Sequence, residues 1–218
     1  MELSGVHSAP SCECSVHPPA GSSFYAAPMT TIVAAVLSGG RSSRMGTDKA
    51  SVEVGGRPFS EWVQRALAGR TTVFLGGDLP GVRTIGDAPG SGPVAGLAAA
   101  LAIGADAVVL LAVDQPWLRP ETVDRLVERF DGRPVVPVDD GIRQVTCAIY
   151  PASLASTAAR FTEEGRALQA VLDDVPVDEV PPEEWQAWGE DGRSWFGADT
   201  PDEIDEGLDR FGRPGGGT

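Results

Sequence analysis

The sequence predicts a three-layer α/β/α sandwich around a mostly parallel, Rossmann-like sheet. Three observations carry that expectation. The runs Ile32–Leu37 and Ala107–Val113 are apolar at every position, the pattern of strands buried on both faces. Segments with helical periodicity alternate with strand-like runs, as βαβ units require. The first apolar run ends in Ser38-Gly39-Gly40 and the second in Asp114, and open α/β sheets bind ligands at the carboxyl ends of their strands.

The elements follow in order. Ile32–Leu37 is the first strand. Val52–Val54 is a short extended piece before a Gly55-Gly56 turn, and Pro58 suits the first turn of a helix running to about Ala68. Thr72–Leu75 and Val82–Ile85 read as short strands, Pro93–Ile103 as a helix of small residues, and Ala107–Val113 as a buried strand. Pro120–Phe130 is an amphipathic helix with Val123, Leu126, Val127 and Phe130 on one face. Pro134–Val138 and Arg143–Tyr150 flank Asp139-Asp140-Gly141 as a hairpin. Helices are expected near Leu154–Thr162 and Gly165–Asp173, then a strand over Val175–Val180. A closing helix spans Pro201–Arg210, with Thr200 as its N-cap.

Residues 1–28 are rich in Ser, Pro, Ala and Gly without hydrophobic period, and read as a disordered tail. The folded domain is expected over 29–212, with a flexible end at 213–218. His7, Cys12, Cys14 and His17 lack the usual zinc spacing and read as inert. Three cysteines in this arrangement make no disulfide framework, and Cys147 reads as a small buried core residue.

The 218 residues carry a formal net charge of −14, with 42% hydrophobic residues. An excess of negative charge argues against a nucleic-acid partner. It also repels phosphates at long range, so a phosphate ligand must be held locally, by backbone N–H groups, a few cations and a metal. No apolar run approaches the ~20 residues of a membrane helix, and no secretory pattern opens the chain, so a cytoplasmic protein is expected.

After the first strand comes Ser38-Gly39-Gly40-Arg41-Ser42-Ser43-Arg44-Met45-Gly46-Thr47-Asp48-Lys49. Glycines let the backbone approach a ligand closely, and successive N–H groups can cradle an anion. Arg44 and Lys49 add fixed positive charge. The string is neither a Walker A loop nor Gly-x-Gly-x-x-Gly. From Leu37 to Lys49 it resembles the motif of MobA-type molybdenum cofactor guanylyltransferases, within a superfamily of sugar-phosphate and cytidylyl enzymes that share a nucleotide-diphospho-sugar transferase-like fold. The Asp48-Lys49 pair, and Ser-Gly-Gly in place of Ala-Ala-Gly, lean toward the guanylyl branch.

Further segments keep the family order. Asp87 before Gly92-Pro93-Val94-Ala95-Gly96 is similar to the family segment whose aspartate contributes to nucleotide binding. Asp114, before Gln115-Pro116, resembles the family's metal aspartate. Gly197-Ala198-Asp199-Thr200-Pro201 is similar to an Asp/Asn-x-Asp/Asn-Thr-Pro element, from which Gly197 departs. Asp199 is then either a second metal ligand or a carboxylate at a helix N-terminus. Arg143–Tyr150 resembles the strand facing the pterin, although Val145 stands where relatives often have Pro. Trp185, Trp188 and Trp195 read as packing residues rather than stacking platforms.

The resemblance, spanning about residues 31–210, implies a Mg²⁺-dependent transfer of GMP from GTP to molybdopterin. It implies Leu37, Ser38, Gly39, Gly40, Lys49, Asp87 and Asp114 around the nucleotide, Lys49, Arg44 and Asp114 in catalysis, and Asp114 with Asp199 on the metal. Molybdoenzymes or their chaperones stand as further partners. Two alternatives remain: a CTP-dependent cytidylyltransferase on the same pterin, and a non-catalytic module that binds nucleotide or cofactor.

Overall fold

Strand β1 (Ile32–Leu37) sits mid-sheet because its side chains feed two cores. In the computed structural model, which describes residues 30–39, 49–76, 79, 81–86 and 92–215, Val33 and Ala35 enter one apolar cluster while Ala34 and Val36 enter the other. The same alternation splits β6 (Ala107–Ala112), with Val108 and Leu110 on one side and Ala107, Val109 and Leu111 on the other. Burial on both faces requires helices on both faces. Helices α2 (Pro93–Leu101) and α4 (Ala155–Glu163) cover the first cluster. Helices α1 (Phe59–Ala66), α3 (Pro120–Arg129) and α5 (Pro182–Ala187) cover the second. This is the expected three-layer sandwich.

The main sheet runs β10-β7-β9-β6-β1-β4-β5, where β4 is Thr72–Leu75, β5 Thr84–Ile85, β7 Val135–Asp139, β9 Cys147–Pro151 and β10 Asp178–Val180. β1 pairs in parallel with β4 and β6, β4 with β5, and β10 with β7; β9 is antiparallel to β6 and β7. The chain leaves β1 toward β4 and β5 and returns on its other side at β6. The β1/β6 boundary is therefore the switch point, where a crevice opens at the strand ends. Register fixes what meets there: Leu37 lies opposite Leu75 and Ala112, which sets Ser38 beside Gly76 and brings Asp114 to the same edge.

Several elements differ from the sequence expectation. Pro58 belongs to a small hairpin, β2 (Glu53–Val54) with β3 (Arg57–Pro58), and α1 begins one residue later. The stretch 143–150 is not one strand. Short β8 (Ile142–Arg143) pairs with β7 across the Asp140-Gly141 turn; the chain then bends at Gln144–Thr146 before β9 inserts between β7 and β6. Gly165 ends a helix instead of starting one. At a φ of +65° its N–H donates to the Thr162 carbonyl (3.2 Å), and the N–H of Arg166 donates to that of Phe161 (2.9 Å), a Schellman closure of α4. Beyond it lies only a 3₁₀ turn, Leu168–Leu172. The strand expected from Val175 begins at Asp178. Helix α5 has a start signal, Pro182 followed by Glu183 and Glu184, but is too short to show periodicity.

A third, smaller apolar cluster joins Val54, Phe59, Trp62, Trp117 and Ala198 to Ile204, Leu208 and Phe211 of helix α6 (Pro201–Phe211). Gly207 makes this packing possible, because a Cβ there would overlap the Trp117 ring. Glycine inside a helix costs roughly 1 kcal/mol relative to alanine. Here it lets α6 lie on the loop that follows Asp114. Cys147 is fully buried in the second cluster, as expected, and desolvation pushes its thiol far above the ordinary range. The predicted tail, with its cysteines and histidines, lies outside the described residues.

Candidate active site

Three side chains remote in sequence converge at the carboxyl edge of β1 and β6. Lys49 opens a 3₁₀ turn, Lys49–Ser51, that follows the glycine-rich segment. Its Nζ lies 2.7 Å from Asp114 Oδ2 and also donates to Asp199 Oδ1. The lysine side chain is 23% exposed, Asp114 18% and Asp199 42%, so the cluster is partly sheltered and open on the Asp199 side.

Each member is positioned by local structure. The Asp114 carbonyl accepts from the Ala198 N–H (2.9 Å), which ties the strand-end loop to the segment before α6. Gly197 faces Asp114: a Cβ there would come 3.8 Å from Oδ1, so a larger residue would stand against the carboxylate. Thr200 is the N-cap of α6, as expected. Its Oγ1 accepts from the Glu203 N–H (3.3 Å), and Glu203 Oε2 accepts from the Asp199 N–H (2.6 Å), a capping-box exchange that fixes the backbone at Asp199. Thr200 thus holds the N-cap position, and Asp199 Oδ1 reaches Lys49.

Two neighbours complete the edge. Gln115, only 2% exposed, accepts from the Ala112 N–H (3.0 Å) and donates through Nε2 to Thr146 Oγ1 (3.3 Å). It couples the Asp114 loop to the bend before β9. Leu37 packs over Gly96 of α2, where a Cβ would overlap its side chain. This close approach accounts for the last glycine of the Gly-Pro-Val-Ala-Gly segment.

The electrostatics are asymmetric. Burial raises the pKa of Asp114, Lys49 opposes that shift, and the Asp199 charge adds to it; the net direction is upward. Burial pulls the Lys49 ammonium down, but its hydrogen bonds and Coulomb attraction to the two aspartates outweigh this, so its pKa is also raised. Both partners of one ion pair therefore shift the same way: burial, with the Asp199 charge, raises the carboxyl, and two carboxylates raise the ammonium.

The expected nest needs one correction. The N–H groups of Ser38 and Gly39 both donate to the Leu75 carbonyl at 2.9 Å, and the Ser38 hydroxyl donates to the carbonyls of Leu75 (3.1 Å) and Gly76. These donors hold the turn at the end of β1 and are not directed at a ligand. Gly40, Arg44 and Asp87 lie outside the described residues. Of the stretch 143–150, expected from the resemblance to face the pterin, the part within β9 (Cys147–Pro151) is wholly buried. Arg143 pairs with Glu179 and Asp173. Trp185 and Trp195 pack edge to face at 5.2 Å within the second core cluster, so they act as packing residues.

Gln115 and Glu203 were not singled out from sequence. A stronger signal was also available: Lys49 is the sequence's only lysine, although Lys and Arg together number 17. Where every other basic position is arginine, a single lysine marks a place that needs a compact ammonium rather than a planar fork.

A hard cation fits this donor set. Asp114 and Asp199 already bracket a positive charge. Among the described residues no cluster of three or more His, Cys, Asp or Glu could hold a metal alone. Mg²⁺-type sites need only one or two carboxylates when phosphates and water supply the rest.

A parallel sheet with its switch point at β1/β6, a glycine-bearing turn and a lysine held between two aspartates define the nucleotidyltransferase class. The family is recognisable as well. The chain belongs to the MobA-like NTP transferase domain family, whose model matches residues 34–180. It is 35% identical over 145 residues to a molybdenum cofactor guanylyltransferase of Cereibacter sphaeroides, covering 61% of this chain and 75% of that protein. The molybdopterin-guanine dinucleotide biosynthesis protein A of Archaeoglobus fulgidus superposes with a TM-score of 0.73 at 27% identity, covering 81% of this chain and 97% of that one. The 2-C-methyl-D-erythritol 4-phosphate cytidylyltransferase of Thermus thermophilus, at 16% identity and a TM-score of 0.60, covers 79% and 95% and shares the fold.

Proposed function

We propose that this chain transfers GMP from GTP to the terminal phosphate of molybdopterin and releases pyrophosphate. The observation that carries the reading is the Lys49 ammonium held between Asp114 and Asp199 at the sheet's carboxyl edge. The guanylyltransferase names of its relatives in Cereibacter sphaeroides and other bacteria support GTP over CTP.

In this reaction a terminal phosphate oxygen of the pterin attacks the α-phosphorus of GTP. The bond to the β-phosphate oxygen breaks, and pyrophosphate leaves with the electron pair. The nucleophile is already anionic, so no strong base is needed, and the protein's task is positioning and charge neutralisation. Asp114 and Asp199 would hold Mg²⁺, which when bound draws charge off the α-phosphoryl group. Lys49 supplies a point charge to the triphosphate. Arg44 and the backbone from Gly40 onward add the remaining donors, since the N–H groups of Ser38 and Gly39 are already used. Leu37 walls the base side beside Gly96, and Asp87 serves guanine or ribose. The Gln115–Thr146 link sets the distance between the aspartate loop and the acceptor side. Local cations and a metal do what a chain of net charge −14 cannot do by its overall field. Molybdoenzymes or their chaperones would receive the product.

Pyrophosphate release measured with GTP, CTP or ATP, each with molybdopterin and Mg²⁺, tests the reading. GTP alone should support turnover. Equal or faster release with CTP would transfer the assignment to the cytidylyl branch, and GTP binding without release would leave only a binding module.

A further inference from the structure

A cleft of about 530 Å³ lies on the α1/α3 side of the sheet. Its walls come from the second half of α1, the start of α3, the 189–193 segment and the chain after α6. None of Lys49, Asp114 and Asp199 lines it, so it is separate from the active site. Its composition is opposite to that of the molecule: Arg65, Arg119, Arg193 and Arg213 face Glu121 and Asp191, an excess of positive charge within a chain of −14.

These arginines are not equivalent. Arg193 is committed to a two-point pair with Asp191, Nε to Oδ1 at 2.8 Å and Nη2 to Oδ2 at 2.7 Å. Arg119 donates to the Gly189 carbonyl and meets Glu121 only at 3.5 Å. Arg213 donates to the Gly55 carbonyl, and the Arg65 guanidinium lies 6.0 Å from the centre of the Trp62 ring. Among the described residues, neither Arg65 nor Arg213 meets a carboxylate within ion-pair distance. A guanidinium has five N–H donors, and one carbonyl engages only part of that fork. Arg119 and Arg213 are therefore held in place without full neutralisation, which lowers the entropic cost of gripping an anion.

The rest of the lining decides the class of ligand. Trp62 donates through Nε1 to the Val54 carbonyl (2.9 Å), and Trp117 to that of Gly212 (2.7 Å). Both rings are almost wholly buried and offer no open face for stacking. The cleft is suited to a compact oxyanion gripped by forks rather than to a flat heterocycle. Arginine forks match phosphate oxygens in pairs, and the cleft exceeds the size of a single phosphate.

We infer that this cleft is a second, non-catalytic site for a small phosphate-bearing anion, such as a diphosphate, with Arg65, Arg119 and Arg213 as its ligands. The site stands independently of the guanylyl reading. It is tested by isothermal titration calorimetry of the full chain with inorganic pyrophosphate in metal-free buffer, using Lys49→Ala to silence the active site. Binding should persist at about one pyrophosphate per chain, and Arg65→Ala with Arg213→Ala should weaken it by roughly tenfold or more. Loss of all pyrophosphate binding in Lys49→Ala, or unchanged binding after the arginine substitutions, overturns the proposal. If circular dichroism shows the double variant unfolded, Arg65→Ala alone carries the test, because that side chain is exposed on α1 and anchors no backbone group; it should weaken binding severalfold, and no change overturns the site.

Discussion

Asp114 and Glu190 are both carboxylates withdrawn from water, and they are satisfied in opposite ways. Glu190, 4% exposed, accepts from the hydroxyls of Thr122 and Ser194 and from the N–H groups of Asp191 (3.0 Å), Gly192 (2.9 Å) and Ser194 (3.2 Å). All of these donors are neutral and fixed by the fold. Among the described residues, Asp114 is answered by one flexible cation that it shares with a second carboxylate. A charge enclosed by fixed dipoles holds structure together, whereas a charge balanced by a movable ammonium can exchange that partner for a metal or a phosphate. The first arrangement builds the 190–195 loop, and the second builds a site.

Single substitutions separate the two roles. Lys49→Ala should lower GTP-dependent turnover by on the order of 10²-fold or more, the size expected for one lost transition-state donor, with little change in melting temperature. Steady-state kinetics and calorimetric melting read both quantities, and near-normal turnover would remove Lys49 from the chemistry. Glu190→Ala should do the reverse. Stranding five donors in the interior should cost on the order of 3 kcal/mol, a fall of roughly 6–12 °C in Tm, while kcat per folded molecule stays close to that of the parent. A Tm within about 2 °C of the parent's would mean that water replaces the carboxylate in that loop.

The smallest effect is in the pH dependence. The folded-state pKa of Asp114 lies above the ordinary 3.8 because of burial and Asp199. Between 3.8 and that raised value the folded chain binds more protons than the unfolded chain, so this group's contribution to stability falls as pH rises through the window. Asp114→Asn removes the ionisation. The Tm of the variant relative to the parent should therefore climb as pH rises through that window and level off above it. A difference that stays flat would mean that Lys49 cancels the effect of burial on Asp114, and one that falls as pH rises would mean that Lys49 dominates and depresses its pKa. Lys49 contributes with the same sign in a different window: its raised pKa gives stability that is fully present below its ordinary 10.5 and is lost as pH rises through the raised value.

The parts of the fold legible in the sequence were those where one physical demand dominates. The all-apolar runs of β1 and β6 admit little but a doubly covered strand, and the Thr200 N-cap closes locally on the first turn of α6. Asp140-Gly141 declared its turn through two positive φ values, 47° and 74°. Where local signals were short or shared, the reading slipped. The 143–150 stretch looked like one strand because a two-residue edge strand and a five-residue central strand have the same composition. Gly165 looked like a helix start because the closure that makes it a stop depends on the Phe161 and Thr162 carbonyls.

The same division runs through the site. Sequence alone determined that β1 is followed by glycines and a lysine, that β6 ends in an aspartate, and that a capped helix follows Asp199, because each is a matter of neighbours in the chain. Only the tertiary structure decided that Lys49 lies between Asp114 and Asp199, residues 65 and 150 positions away. It did so through the strand register at β1/β6 and the packing of α6 over Trp117, which no local pattern encodes. It also decided that the Ser38 and Gly39 amides serve Leu75, since backbone donors are claimed by whichever strand the sheet places beside them.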